Sequence, residues 1–470
     1  MIRGEEITVH LDDAAFEGKS VARIDDLVVF VHGGVPGDTV VARLTKIKKT
    51  FLEAETIRVL ERSPDRGPAR CIHFGICGGC KWQELSYPVQ CAYKRQHVID
   101  SLERIGGFVG VKVNECLPSP SVYLYRNKME FSFGERWLTR EEMTGTECSL
   151  FALGLHIPER FDKVLDLQEC WLQSEVSARI VNATRRFALK HGLTIFSSRS
   201  HSGYLRNLVI RESQRSGERM VNLVTREDSP EVMKLYCAEL LAEIPDITTI
   251  INNVTDRKSQ VALGEFENVY HGSGFIMDLI GKRRYRISAN SFFQTNTEQA
   301  ERLYDVVRRM AALTGTEVVY DLYCGTGTIA LHLAEDARSI VGVESVPQAI
   351  ADARMNADAN AVTNCTFVLG DLKDILSAGS HMLEQHSHPD VIVVDPPRSG
   401  LHPQVAQQLR RMGAARIVYV SCNPATQARD LKTLTEEGYY CLKESQPVDM
   451  FPHTYHIENV AMLERATAAM

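Results

Sequence analysis

The stretch VVYDLYCGTGTIAL, residues 318–331, decides the fold. Its apolar, β-branched opening reads as a strand buried on both faces. The strand ends at Asp321, and a turn holding Gly325 and Gly327 then opens an Ala/Leu helix. Glycines in such a turn let a ligand come close to backbone N–H groups. A dinucleotide fingerprint carries a third glycine where this chain has Ala330.

Outward from that turn, the same grammar repeats. SIVGVES (339–345) is a second strand ending in Glu344, placed to accept hydrogen bonds from ribose hydroxyls. CTFVLGD (365–371) ends in Asp371, a candidate for an adenine amine. VIVVDPPRSGL (391–401) sets Asp395 and a stiff proline pair at a third strand end, and RIVYVSCNP (416–424) ends in Cys422. Strands alternating with helices from about residue 285 predict a doubly wound, mostly parallel α/β sheet with ligands at its carboxyl edge. Strand, GxG turn, helix, strand and acid suit S-adenosylmethionine at least as well as NAD. The Asp-Pro-Pro strand end favours the former.

The chain before this region has a different texture. Residues 1–62 are short alternating strands broken by Gly and Asp, as in a small β-barrel. SPDRGPARC (63–71) reads as a linker, and the stretch to 280 is mixed α+β. The expected domains are therefore 1–62, 63–280 and 281–470. At 44% hydrophobic and 24% charged the composition is that of a globular protein, and the net charge of −7 offers no bulk attraction to nucleic acid. Basic residues gather locally, in Lys46, Lys48, Lys49, in Arg126 and Lys128, and in GKRRYR (281–286). No apolar run reaches the ~20 residues of a membrane span, and MIRGEEITVHLDD lacks a leader's apolar core. A cytoplasmic protein without a membrane partner is expected, a monomer by default. Its twelve cysteines are then thiols, metal ligands or catalysts rather than disulfides.

Cys422 stands where an α/β sheet keeps its ligands, beside a methyl donor. One reading is a small buried hydrophobe. The other is a soft nucleophile, effective when its pKa is lowered. C5 of a pyrimidine gains nucleophilicity once a thiolate adds to C6, and can then take a methyl group from a sulfonium. A base must afterwards remove the C5 proton so that the sulfur can leave. DMFPHTYHIE (449–458) offers Glu458 at the start of an apolar strand, with His453 and His456 as rivals. A second cysteine feature is CIHFGICGGCKWQ, with Cys71, Cys77 and Cys80 at C-x5-C-x2-C spacing around two glycines. That points to a metal, zinc or iron–sulfur, with Cys91, Cys116, Cys148 or Cys170 as fourth ligand.

NSFFQTN, DLYCGTGTI, GVES, DPPRSGL, VYVSCNPATQARDL and DMFPHTYHIE, in that order, resemble the RNA uracil-5-methyltransferase family along nearly the whole chain. The resemblance implies a C-terminal Rossmann-like class I methyltransferase domain, an N-terminal OB-like TRAM barrel, and a central α+β iron–sulfur domain that binds RNA through YRNKMEFSF and LRNLVIR. It makes Cys422 the nucleophile and Glu458 the base. It places S-adenosylmethionine on Gln294, Tyr323, Glu344 and Asp395, with Asp371 and Thr328 nearby. It also implies a [4Fe–4S] cluster on Cys71, Cys77, Cys80 and Cys170, as in the branch acting on 23S rRNA. The same chemistry on a tRNA loop is the nearest alternative, and a non-catalytic RNA assembly factor is a different class. An iron–sulfur radical methylase would want C-x3-C-x2-C spacing. With eleven acidic and nine basic residues, the barrel would bind RNA through shape and local patches. A target uridine must be flipped from its stack, and Phe292 and Phe293, beside GKRRYR, are candidates for stacking unless they are core.

Overall fold

The computed structural model describes residues 1–138, 150–158, 160–258, 262–376 and 385–466. The first six strands are β1 (Glu6–His10), β2 (Asp13–Ala14), β3 (Ser20–Ile24), β4 (Leu27–His32), β5 (Thr39–Ile47) and β6 (Phe51–Glu61), in sheet order β1-β5-β6-β4-β3-β2. Every second residue of β5 and β6 turns inward at the start of each strand, and Leu11, Val29, Val31, Ala42, Leu52 and Ala54 fill the interior. This is the small β-barrel that the alternation predicts.

Helix α1 (Tyr87–Ser101) and the two-residue strand β7 (Lys112–Val113) follow. The central sheet then runs through β8 (Lys128–Arg136), β9 (Phe151–Ile157), β10 (Arg160–Asp166), β11 (Leu205–Glu212), β12 (Arg219–Thr225), β13 (Thr249–Val254) and β14 (Phe266–His271), in order β10-β9-β8-β11-β12-β13-β14. Helices α2 (Glu175–Lys190) and α3 (Pro230–Glu243) cover one face through Ile180, Phe187, Tyr236 and Leu240. Met220 and Ile251 join the hydrophobic core of the C-terminal region from the other. The hairpin β15 (Phe275–Ile280) and β16 (Arg283–Ser288) bridges the expected boundary at 280, and its Ile276, Tyr285 and Ile287 also belong to that C-terminal core.

The third region opens with α4 (Thr297–Ala311) and alternates β17 (Val318–Leu322), α5 (Thr328–Leu333), β18 (Ser339–Glu344), α6 (Pro347–Ala359), β19 (Cys365–Leu369), α7 (Leu372–Ile375), β20 (Val391–Val394), α8 (Pro403–Met412), β21 (Arg416–Ser421), α9 (Pro424–Thr435), β22 (Tyr440–Val448) and β23 (Glu458–Arg465). The sheet order is β19-β18-β17-β20-β21-β23-β22-β7. Strands β17 to β21 are parallel, while β23 runs antiparallel to both β21 and β22. Alternate residues of each strand enter opposite layers: Val319, Val391 and Val418 meet α4 to α6, whereas Tyr320, Ile392 and Tyr419 meet α1, α8 and α9. Strand order reverses between β17 and β20, and the crevice at such a switch point is where open α/β sheets bind ligands.

Candidate active site

The parallel register brings the strand-end residues together. Leu322 pairs with Val343 on one side and Val394 on the other, so Tyr323 stands level with Glu344 and Asp395. The chain turns there because Tyr323 adopts φ +64°, followed by Gly325 at +53° and Gly327 at +78°. A Cβ on Gly327 would lie 2.8 Å from Phe367, whereas one on Gly325 would meet open space. Gly325 is thus needed for its conformation and leaves the crevice side clear. Its N–H donates to Glu344 Oε2 at 3.2 Å, and Glu344 Oε1 accepts from the Ser345 and Val346 N–H groups at 2.7 and 3.0 Å. Thr328 accompanies this turn, its hydroxyl 3.0 Å from the Tyr304 hydroxyl. Asp371 is exposed and caps α7 by accepting from the Lys373 N–H, which holds its carboxyl below the usual range.

Buried acids line this crevice. Asp321 accepts from the Ala330 N–H at 3.0 Å, while its other oxygen has no partner among the described residues. Burial and the Asp395 charge push its pKa up to about 8, and burial pushes that of half-buried Asp395 up to about 7.

At the next strand ends, Ser421 of β21 faces Asn459 of β23. One further step of the same antiparallel register sets Cys422 opposite Glu458. Glu458 is buried, and burial, then repulsion from Asp395, hold its pKa well above the carboxylate range against the pull of Arg398. Burial and Glu458 likewise push the half-buried Cys422 thiol up to about 11, opposed by a hydrogen bond from Arg398. The resting side chain is therefore a thiol, not the low-pKa thiolate expected of a nucleophile. His456 is depressed to about 4 by burial and the nearby Arg398, and His453 to about 4 by burial and Lys94.

Arg398 went unassigned in the sequence, although it ends the Asp-Pro-Pro-Arg run. Its position is set from α9: the Asn423 and Thr426 side chains both donate to the Arg398 carbonyl at 3.2 Å. NSFFQTN lies against the central sheet. Arg211 donates to the Ala289 and Ser291 carbonyls, and the Asn127 side chain donates to the Gln294 carbonyl at 2.8 Å. Gln294 is buried. The two phenylalanines part company, for Phe293 is buried against Tyr285 and Phe292 is 66% exposed.

Some distance along the chain, Cys71, Cys77, Cys80 and Cys170 line one pocket walled by Leu155, Leu167, Trp171 and Leu172. Glu169 and His73 tie its two sides, accepting from the Ile72 and Gln168 N–H groups at 3.0 Å each. Cys91 and Cys116 are buried elsewhere, hydrogen-bonded to each other beside Tyr87, and Cys148 lies outside the described residues. Among the described residues no three His, Cys, Asp or Glu side chains converge as around a single metal ion.

Comparison with known proteins identifies the whole. Residues 276–466 match the family model of tRNA (uracil-5-)-methyltransferases, and residues 2–57 match the TRAM domain. An RNA methyltransferase of Chlorobaculum tepidum, uncharacterized, is 44% identical over 99% of this chain and 97% of its own. A second, from Bacteroides thetaiotaomicron, is 43% identical over 96% and 99%. The chain belongs to the RNA uracil-5-methyltransferase family. Among solved structures, the tRNA (uracil-54, C5)-methyltransferase of Pyrococcus abyssi, in complex with S-adenosyl-L-homocysteine, is 30% identical, with a TM-score of 0.74 over 97% of this chain and 100% of its own. In this uracil-5-methyltransferase the barrel is thus a TRAM domain and the doubly wound sheet is the methyltransferase domain. No helix among its described residues is long and apolar enough to cross a membrane.

Proposed function

We propose that this protein methylates C5 of a uridine in 23S rRNA, with Cys422 as nucleophile and Glu458 as the base. The observation that carries the proposal is the β21–β23 register, which sets the thiol opposite a buried carboxylate beside the Asp395 crevice. S-adenosylmethionine supplies an electrophilic methyl group on a positively charged sulfur. We assign its site to Gln294, Tyr323, Thr328, Glu344, Asp371 and Asp395. Asp321, Asp395 and Glu458 are all driven toward the protonated form by burial, and a cationic ligand relieves that strain. Glu344 Oε1 accepts from the Ser345 N–H and hydroxyl and the Val346 N–H, whereas Oε2 accepts from the Gly325 N–H and keeps one lone pair for a ribose hydroxyl.

The covalent steps fall to the chain itself. The charge and hydrogen bond of Arg398 favour a Cys422 thiolate, and so open the route from resting thiol to nucleophile. The Cys422 thiol gives its proton to solvent, the sulfur adds to C6, C5 takes the methyl group, and the ionised Glu458 carboxylate accepts the C5 proton as the sulfur leaves. A carboxylate with raised proton affinity does this better than His453 or His456, whose neutral rings hold a proton only near pH 4. Phe292, an exposed aromatic of NSFFQTN, is assigned to stack on an RNA base.

The four pocket cysteines fit a [4Fe–4S] cluster. A cube presents a different iron to each thiolate, so its ligands stand apart, whereas one zinc would draw them to about 2.3 Å of a shared centre. The four thiols around one pocket with Leu155, Leu167 and Leu172 in its walls support the cube. Its chemistry here is that of a structural clip, since uracil methylation moves no net electrons. The cysteine pattern supports the rRNA target. The similarity to an archaeal tRNA (uracil-54) enzyme favours a second reading, a tRNA loop. Mass mapping of 5-methyluridine in rRNA and tRNA from cells lacking the gene decides between them: loss from 23S rRNA alone supports the first, and loss from tRNA with rRNA unchanged overturns it. RNA containing 5-fluorouridine should trap an adduct that Cys422→Ala cannot form.

A further inference from the structure

The loop 449–457 leaves β22, reverses and delivers Glu458 at the first residue of β23. It is held by a different part of the chain. Fully buried Lys94 reaches Asp449 at 2.6 Å and the Phe451 carbonyl at 3.0 Å. The Gln90 side chain accepts from the His453 N–H at 2.8 Å and donates to the Trp82 and Leu85 carbonyls at 2.9 and 2.8 Å. The Lys81 and Trp82 N–H groups donate to the His453 carbonyl at 2.8 and 3.0 Å. The Tyr125 hydroxyl donates to the Pro452 carbonyl at 3.1 Å, and the Tyr123 ring lies 4.3 Å from that of His453. His453 itself sits at φ +66°, a conformation a non-glycine residue holds only when its surroundings impose it.

The anchors thus come from residues 81–125, starting one position after Cys80. Gln90 joins the two sides, bonding both to the chain just past the cysteine loop and to the centre of the base-bearing loop. We propose that Gln90 and the Lys81–Trp82 backbone are positioning elements for Glu458, so that loosening them halts the reaction after methyl transfer, with enzyme still bonded to RNA. The inference rests on the covalent mechanism above. In that mechanism the Cys422 S–H proton passes to solvent and the sulfur bonds to C6, while the C5=C6 electron pair takes the methyl group as the donor's S–CH3 bond breaks. Only then does the C5–H bond break, its proton going to the Glu458 carboxylate and its electron pair restoring C5=C6 as the C6–S bond opens. A displaced base therefore leaves the first bonds able to form, since Glu458 opposes rather than helps the Cys422 thiolate, and blocks the last.

The test uses the full-length protein, S-adenosylmethionine, and 23S rRNA and tRNA transcripts carrying tritium at uridine C5. Adduct is read on denaturing gels, and proton removal by tritium release. Gln90→Met, close in size but without the amide, should raise the adduct several-fold and cut tritium release at least tenfold. His453→Val, whose β-branch disfavours a left-handed backbone, should do the same, and His453→Asn, which tolerates it, should restore release. Native release without adduct in Gln90→Met overturns the proposal. Loss of adduct formation together with turnover in both Gln90→Met and His453→Val also overturns it, because the loop would then serve the whole site. Failure of the unmodified enzyme to trap 5-fluorouridine RNA is a separate result, which removes the covalent mechanism itself.

Discussion

The carboxyl edge of the methyltransferase sheet and the cysteine pocket of the central region are both lined by reactive side chains from scattered positions, yet they are assembled differently. At the sheet edge, hydrogen-bonded register does the placing: Tyr323, Glu344 and Asp395 are level because Leu322, Val343 and Val394 are paired. In the pocket, Cys170 meets Cys71, Cys77 and Cys80 across loops tied by single side chains such as Glu169 and His73. A regular sheet tells a reader where its ends go, and a loop does not. The two regions also share a load, for the chain leaving the cysteines holds the loop that carries Glu458.

Substitutions separate the two. Cys422→Ala should lower turnover by at least roughly 10⁴-fold and leave the melting temperature unchanged, as expected of a nucleophile outside the core. A large loss of stability there would break the contrast with the thiols of the cysteine pocket. Glu458→Gln should slow release by about 10²–10⁴-fold while a protein–RNA adduct accumulates on denaturing gels, and an adduct-free, inactive variant would remove Glu458 from the last step. The strut between the regions is testable by stability. Lys94→Met strands the Asp449 carboxylate in the interior and should cost about 3–5 kcal/mol in denaturant titrations, most of it recovered by adding Asp449→Leu.

The Phe292 and Phe293 pair sharpens the comparison further. Phe293→Ala should destabilise the fold by about 3–5 kcal/mol, whereas Phe292→Ala should spare stability and weaken RNA binding by about 1–3 kcal/mol in filter-binding titrations. The smallest effect concerns pH. Asp395 has its pKa raised from 3.8 to about 7, so it binds a proton more tightly folded than unfolded. Its favourable contribution is complete below pH 3.8 and is lost as pH rises through about 7. Asp395→Asn should flatten that decline in melting temperature between pH 5 and 8, and an unchanged slope would place the titration elsewhere.

Much of the candidate site was legible because its residues terminate strands whose apolar runs are unmistakable. Tyr323, Glu344, Asp395 and Cys422 each close such a run, and the motifs that resemble the family lie on the same elements. Arg398 was not legible, since an arginine after two prolines looks like any solvated loop residue until α9 folds its carbonyl toward Asn423 and Thr426. Neither was the protonation of Cys422, which depends on burial and on a carboxylate 36 positions later in the chain. The paired phenylalanines were ambiguous for the same reason, as adjacent aromatic residues carry no periodicity.

What the chain by itself determined is the class of fold and the inventory of reactive groups, because the spacing of apolar residues is local and sets strand, turn and helix directly. What only the tertiary structure decided is which of those groups meet, in what charge state, and on what support. Glu458 sits opposite Cys422 through an antiparallel register that closes over the loop 449–457, and that loop is held by side chains more than 320 positions away in the chain. Contacts at such separation arise from packing many elements at once, and burial, which sets proton affinity, exists only after that packing is complete.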